Sequence, residues 1–352
     1  MKKQSNEAAP RFHSHREGLY RSLLPLAAFI LILIINTIFT KNFWHVDIRN
    51  HQFFGTIFDI GRQASPEILM ALAMTLVIAG TKGIDLSVGA VAAMAAGIAA
   101  LYLIAPHPMS LAVIIAISLG AGAVAGLWNG FLVSYLGIQP FIATLILMVA
   151  GRGIAQLIVQ GQIITLPVTS PICNTFCAMS NGAWFFIPIR FYIVAIVASI
   201  TWFLARKTVI GVYIEAVGGN ETAAKYCGIN AAAVKLFVFA FSGVCAALAG
   251  LILTGDVRSA DPNTLALNDH NELDAILAVI IGGTAFTGGR FNLFGSVVGA
   301  LIMRTLMIQI FSSDMTWGYA LVLKAVTVII VCLIQSPQFR ALFGRGISRR
   351  SK

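Results

Sequence analysis

LAVIIAISLGAGAVAGLWNGFLVSY, Leu111–Tyr135, runs for 25 residues without a charged side chain. As a helix rising about 1.5 Å per residue it reaches across the roughly 30 Å hydrocarbon core of a bilayer. Similar runs recur on both sides of it. Ser22–Thr40, Ala64–Gly80, Leu86–Ala105, Ile138–Val159, Arg190–Ala205, Ala232–Gly255, Asp274–Ala285, Gly295–Phe311 and Trp317–Gln335 bring the expected count to ten, with Asp274–Ala285 short enough for a half-helix. The 352 residues are 58% hydrophobic and 11% charged, with a mean hydropathy of +0.86. A soluble domain carries about 25% charged residues, so this chain cannot build a wet surface all round. Backbone groups in hydrocarbon need internal partners, and the period-two alternation of a barrel is absent. The expectation is an all-α polytopic membrane protein with about ten transmembrane helices, some of them discontinuous.

The net charge of +10 is distributed by topology. Lys2, Lys3, Arg11, Arg16 and Arg21 precede the first run, and Arg340, Arg345, Arg349, Arg350 and Lys352 follow the last. Both clusters read as cytoplasmic flanks, tails of residues 1–21 and 338–352 around a membrane domain of residues 22–337. Aromatic residues do not interleave with the C-terminal cluster in the way a stacking platform needs, which argues against a nucleic-acid platform. No small-residue cleavage site follows the first run, so it reads as a retained helix. With both termini inside, Gly161–Pro188 and the acidic stretch Asp256–Asp274 fall outside the cell membrane, and Arg206, Lys207, Lys225 and Lys235 fall inside. Aromatic Lys41–Arg62 reads as an outer interfacial segment.

Three stretches interrupt the apolar pattern. Thr208–Ala231 is the long polar interval on the inner side. Within it Gly218 and Gly219 permit a tight turn or a close approach, Asn220 stands where an N-cap belongs, Glu221 lies in the first helical turn, and Gly228 is a stop signal. A helix over Glu221–Cys227 is about 10 Å long, too short to cross a membrane and suited to a peg on its surface. G83-I-D-L-S-V-G89 separates two runs. It reads either as a tight cytoplasmic turn or as a break inside the membrane, with Asp85 or Ser87 capping the second half. The 17-residue run Ala64–Gly80 before it is short for a span, which favours the break. G126-L-W-N-G130 places Asn129 in a span, as a helix–helix hydrogen-bond partner or a ligand for substrate, with Gly122, Gly126 and Gly130 spaced for helix packing. Arg152 lies inside a span and calls for a carboxylate partner or a wet cavity. Val77–Met94 and Val279–Ile302 resemble each other weakly, each passing from apolar to glycine-rich and polar and then to a small-residue helix.

Several functions are excluded or left open. No G-x-x-x-x-G-K-[ST] loop is present, so ATP hydrolysis would fall to a partner. No Cys/His cluster has zinc spacing, and no nucleophile, base and metal ligands gather as an enzyme requires; neither cofactor nor metal is expected. Cys173 and Cys177 lie in the exported segment, either as a disulfide or as two thiols. A proton-coupled secondary transporter using Asp85 or Glu67 is the alternative to an ATP-driven one, but it gives no role to the peg.

GIDLSVG (Gly83–Gly89), WNGFLVSYLGIQPFIATL (Trp128–Leu145), EAVGGNETAAKYCGIN (Glu215–Asn230), NELDAILAVIIGGTAFTGGRFNLFG (Asn271–Gly295) and LKAVTVIIV (Leu323–Val331) occur in order. Together they resemble the permease subunits of bacterial ribose/xylose/galactoside-type ABC sugar importers. RKTVIGVYIEAVG (Arg206–Gly218) and IQSPQF (Ile334–Phe339) look closest to the galactofuranose importer permeases. The resemblance implies an ABC importer permease fold in the inner membrane. It also implies a cytosolic ATPase partner, a periplasmic sugar-binding protein and a second or paired permease. Carried onto this sequence, the coupling segment is residues 208–231, with Glu215, Gly218, Gly219, Asn220, Glu221, Ala224, Lys225 and Gly228 facing the ATPase. A sugar pathway is expected near Asp85, Ser87, Asn129 and Thr144.

Overall fold

The computed structural model describes residues 15–39, 43–49, 52–107, 109–262 and 271–312, with isolated helical positions at 322, 325, 326, 329 and 333. Helices dominate. The first, α1 (His15–Phe39), starts earlier than the hydropathy of Ser22–Thr40 implies, inside the expected N-terminal tail. A short antiparallel hairpin follows, β1 (Asp47–Arg49) on β2 (Gln52–Phe54).

The second helix, α2 (Thr56–Thr81), corrects the reading of Ala64–Gly80 as a short span. Its 26 residues are about 39 Å long, enough to cross the membrane alone. The run reads short because Asp59, Arg62 and Gln63 interrupt the hydropathy before Ala64, although the helix continues through them and through Pro66. A proline removes an N–H and orphans the carbonyl four residues back. Here that carbonyl, Arg62 O, accepts from Arg190 Nη1 at 2.9 Å, so the helix continues. Every residue from Ala64 to Gly80 is buried, because α2 is apolar all round and stands at the centre of the bundle.

On it pack α7 (Ile189–Lys207), α10 (Ala231–Val257), α11 (Asn271–Ile281) and α12 (Leu293–Ser312); α3 (Val88–Leu103) and α4 (Leu111–Ser134) pack in turn on α10, and α5 (Pro140–Ile158) on α3. The α4–α10 contact is made backbone to backbone: a Cβ on Gly126 would overlap the Phe239 carbonyl, and one on Gly243 the Gly122 carbonyl. The small-residue spacing of the sequence is therefore a packing seam.

Between α5 and α7, residues 161–188 are a built layer rather than a plain loop. They hold β3 (Ile164–Thr165), α6 (Pro171–Asn181), β4 (Ala183–Trp184) and β5 (Ile187–Pro188). Strand β3 pairs with β6 (Ser259–Ala260), which places the ends of α5 and α10 on one side. Cys173 and Cys177 are separate buried thiols on α6, and burial pushes the Cys177 thiol up. One helical turn apart, their Cβ atoms stand about 5–6 Å from each other, too far for an unstrained disulfide.

Among the described residues, α2, α4, α5, α7 and α10 are long and apolar enough to cross a membrane, and α1, α3 and α12 hold shorter apolar runs. At 16 and 11 residues, α3 and α11 cannot cross alone. The run at Trp317–Gln335 lies outside the described residues apart from isolated helical positions. Two further helices, α8 (Val209–Gly219) and α9 (Glu221–Tyr226), lie between α7 and α10.

Candidate functional site

The polar break after α2 is the first candidate. Lys82 takes a left-handed conformation, φ 56°, and the chain turns back on itself. The Asp85 amide donates to Met74 Sδ at 3.3 Å. Met74 lies seven residues before the helix end, so residues 82–87 climb about 10 Å back along α2 before α3 begins. The break is inside the bundle, and the discontinuous element is α3, not α2.

All four residues expected near a pathway converge on this segment. Asp85 Oδ1 accepts from Ser87 N at 3.0 Å and Ser87 Oγ at 2.6 Å, and its Oδ2 from Ser242 Oγ at 2.7 Å. Ser87 Oγ accepts from Asn129 Nδ2 at 2.9 Å. Thr144 Oγ1 donates to the Ile84 carbonyl at 3.1 Å. Ser87 is the N-cap residue, yet the capping acceptor for its own amide is Asp85. Asp85, Ser87, Asn129 and Thr144 are all at most 2% exposed, so in this conformation each acts as a tether holding the break to α4, α5 and α10. Asn129 is the helix–helix partner its position allowed, and its Oδ1 is buried without a protein partner. Ser242 went unnoticed because a serine in a span carries no signal of its own. Ser242→Ala removes one donor to a buried carboxylate and is expected to cost about 1.5–3 kcal/mol, read as a lower unfolding midpoint of the detergent-purified protein.

Among the described residues, three ion pairs tie helices of the bundle together. Glu67 on α2 pairs with Arg304 on α12. Arg152 on α5 pairs with Glu272 on α11 at 2.8 Å, the carboxylate partner its position called for. Arg190 on α7 pairs with Asp256 on α10 at 2.5 Å. Glu67, a proton carrier in the secondary-transporter reading, is thus engaged by a guanidinium.

The polar interval of residues 208–231 is two helices rather than a loop with a single peg. Thr208 Oγ1 accepts from Ile210 N at 3.3 Å to open α8, an apolar helix that packs on α2. Gly218 and Gly219 end α8 and make no tight turn. Asn220 Oδ1 accepts from Ala223 N at 3.0 Å to open α9. The helix closes when Ile229 N donates to Ala224 O and Gly228 N to Lys225 O, both at 3.0 Å, with Gly228 at φ 80°. Glu221 accepts from Lys235 of α10 at 2.7 Å and lies 3.0 Å from Lys225. The Lys235 hydrogen bond holds the Glu221 carboxyl below its ordinary range. That tie is complete above the usual glutamate range and is lost as pH falls through the lowered value.

The base of this unit is welded to both glycine-rich breaks. Gly218 lies so close to Ala79 that a Cβ would overlap its carbonyl. Gly289, in the loop between α11 and α12, donates to the same Ala79 carbonyl at 2.9 Å, and Lys82 Nζ donates to Gly219 O at 3.1 Å. The two stretches of weak internal similarity therefore meet at the end of α8. A cavity of about 300 Å³ opens in the α11–α12 loop beside them, lined by Gly283, Thr287, Arg290 and Asn292 among others.

Of the residues expected to couple, Gly218 and Ala224 face inward and Glu215 is half-buried, whereas Gly219, Asn220, Lys225 and Gly228 are exposed. Tyr226 was missed. It is 88% exposed at the end of α9, a large ring in an alanine-rich helix that no described residue covers.

Comparison with known proteins bears on what these features serve. Residues 56–332 match the family model described as the branched-chain amino acid transport system / permease component. The chain is 46% identical to the galactofuranose transporter permease protein YtfT of Escherichia coli K12 over 93% of each chain. It is 38% identical to the fructose import permease protein FruF of Bifidobacterium longum, covering 90% of this chain and 88% of the relative. With the ribose import permease protein RbsC of Haemophilus influenzae the identity is 37%, over 89% and 93%. No solved structure matches. A polytopic helical bundle with a break beside its central helix, and a match spanning most of its length, has one reading: the chain belongs to the family of permease components of branched-chain-amino-acid-type transport systems.

Proposed function

We propose that this chain is the inner-membrane permease of an ATP-driven sugar importer, and that α8–α9 is its mechanical input. The observation that carries the reading is the build of that unit. It is capped at both ends, presents Gly219, Lys225 and Tyr226 outward, and is fixed at its base to α2, α10 and the α11–α12 loop. A cytosolic ATPase supplies the energy, because the sequence has no phosphate-binding loop of its own. When the ATPase pair closes on ATP it displaces α9. Lys82, Gly218 and Gly289 pass the displacement to the break at residues 82–87 and to the α11–α12 loop, and the spans rock between outward and inward access.

The named relatives support a sugar as the cargo, with galactofuranose favoured by the 46% identity. A periplasmic sugar-binding protein delivers it to the outer layer around α6 and Asp256. The exposed apolar faces of α4, α5 and α7 suit a second permease copy and lipid. Ten spans with both termini cytoplasmic follow if α1, α3, α11, α12 and residues 317–335 each take a place in the bilayer beside the five long helices.

The docking surface is tested by co-purification of the ATPase. A Cβ at Gly219 meets open space, so Gly219→Trp keeps the fold while placing a large ring where the partner sits. Gly219→Trp and Tyr226→Ala are expected to lower ATPase recovery at least tenfold, a change of about 1.4 kcal/mol or more, at unchanged permease yield. Normal ATPase recovery with both variants would sink the assignment.

A further inference from the structure

We propose that the outward half of α5, with the Arg152–Glu272 pair at its centre and Gln156 one turn beyond, is the wall of the pathway that contacts the sugar's hydroxyl groups. The proposal rests on the sugar-permease reading above.

Helix α5 packs on α3 and α4 by one face, through Ala143, Leu147, Gly151 and Ala155. Its exposed edge, followed at three- and four-residue spacing, changes character partway along. One line of it reads Ile142, Leu145 and Val149 in the cytoplasmic half, all exposed, and Arg152, Gly153 and Gln156 in the outward half, while the adjoining line through Ile146, Ile154 and Leu157 stays apolar and exposed. A face meant only for lipid or for a packed helix would stay apolar through the middle of the span, where a guanidinium is expensive. Arg152 is 23% exposed, and space is open at the neighbouring Gly153.

Glu272 brings the other half of the site. It stands in the first turn of α11, and Gly89 at the start of α3 has no side chain where the carboxylate lies. Arg152 Nη2 meets Glu272 Oε1 at 2.8 Å. A guanidinium offers five donors, a carboxylate only acceptors, and a glutamine amide both. Adjacent hydroxyls of a neutral sugar donate and accept together, so this trio matches a vicinal diol without needing net charge. The other two pairs are differently placed. Glu67 is 1% exposed on the central helix and its partner Arg304 16%, with α2 and α12 packed against each other, and the Arg190 guanidinium is 1% exposed and ringed by carbonyls. The tethers Asp85, Ser87, Asn129 and Thr144 are buried in this conformation, whereas Arg152 and Gln156 are accessible, so an arriving sugar meets Arg152 and Gln156 first.

The test uses the full transporter in cells and in proteoliposomes, with its ATPase and binding protein. A membrane-impermeant maleimide added outside is expected to label Gln156→Cys and to leave Ile196→Cys, on the exposed apolar face of α7, unlabelled. Uptake of radiolabelled galactofuranose, ribose and fructose is then measured for Gln156→Leu, which leaves the Arg152–Glu272 pair intact. The KM of the transported sugar is expected to rise about tenfold or more at unchanged permease yield and ATPase recovery, as for a site that loses a hydrogen bond to a substrate hydroxyl. Labelling of Gln156→Cys no greater than that of Ile196→Cys, or an unchanged KM for Gln156→Leu, overturns the proposal. If the wild-type transporter moves none of the three sugars, it is the sugar-permease reading that fails, and the labelling result stands apart from it.

Discussion

Arg190→Leu is expected to cost about 3–5 kcal/mol and to lower the yield of folded protein more than any other single change in the bundle. The guanidinium makes four connections at once. Nε donates to Ser180 O at 2.7 Å, Nη1 to Arg62 O at 2.9 Å, and Nη2 to Asn181 Oδ1 at 3.2 Å and Asp256 Oδ1 at 2.5 Å. It therefore braces α2, α6, α7 and α10 at one end of the bundle. Leucine would leave the Asp256 carboxylate without its cation and the Arg62 carbonyl, already stripped of its helical donor by Pro66, without any donor. Arg190→Lys keeps the charge but not the planar fork, so an intermediate loss is expected. Asp256→Asn should be milder, since the Asp256 side chain is 35% exposed and water can replace part of what is lost. Thermal unfolding in detergent reads all three; an Arg190→Leu midpoint within a degree of wild type would refute the brace.

Gly218→Val is expected to separate energy input from transport. Its side chain would collide with the Ala79 carbonyl and with the Gly289 amide 2.7 Å from its Cβ, so α8 must lift from α2 and from the α11–α12 loop. Overpacking of this kind costs about 1–3 kcal/mol, less than the bundle as a whole can bear. The outward face of α9 is untouched, so the ATPase should still be recovered and still hydrolyse ATP, while sugar uptake collapses. Gly219→Ala is the control: its Cβ meets open space, and uptake should stay near wild type. Loss of ATPase recovery in Gly218→Val would mean that the junction shapes the docking surface rather than relaying its movement.

These expectations differ in how far they could be read from residues alone. The capped peg was legible because Asn220, Glu221 and Gly228 act within one or two turns of each other. Arg152 announced its need for a partner because a charge in a span is rare. Arg190 did not, since it stands at the first position of its apolar run, where a charge is ordinary. Tyr226 gave no sign of being uncovered, because exposure depends on what the rest of the fold fails to bring near. The pathway residues show the same limit. Polar groups inside spans were found, but a buried tether and a wet ligand carry the same atoms.

By itself the sequence determined the membrane class, the apolar runs, the short capped helix and the kinship carried by five ordered blocks. All rest on local quantities: hydropathy summed over a window, caps a few residues apart, glycines at four-residue spacing. Only the tertiary structure decided that α2 continues through Pro66, that α3 starts inside the bundle, and which charges meet. Those outcomes depend on partners far along the chain. Arg190 lies 128 residues from the carbonyl it rescues, Ser242 lies 157 from Asp85, and Arg304 lies 237 from Glu67. In a bilayer, a buried polar group left without a partner is costly, so the fold is selected by pairings that no window of sequence contains.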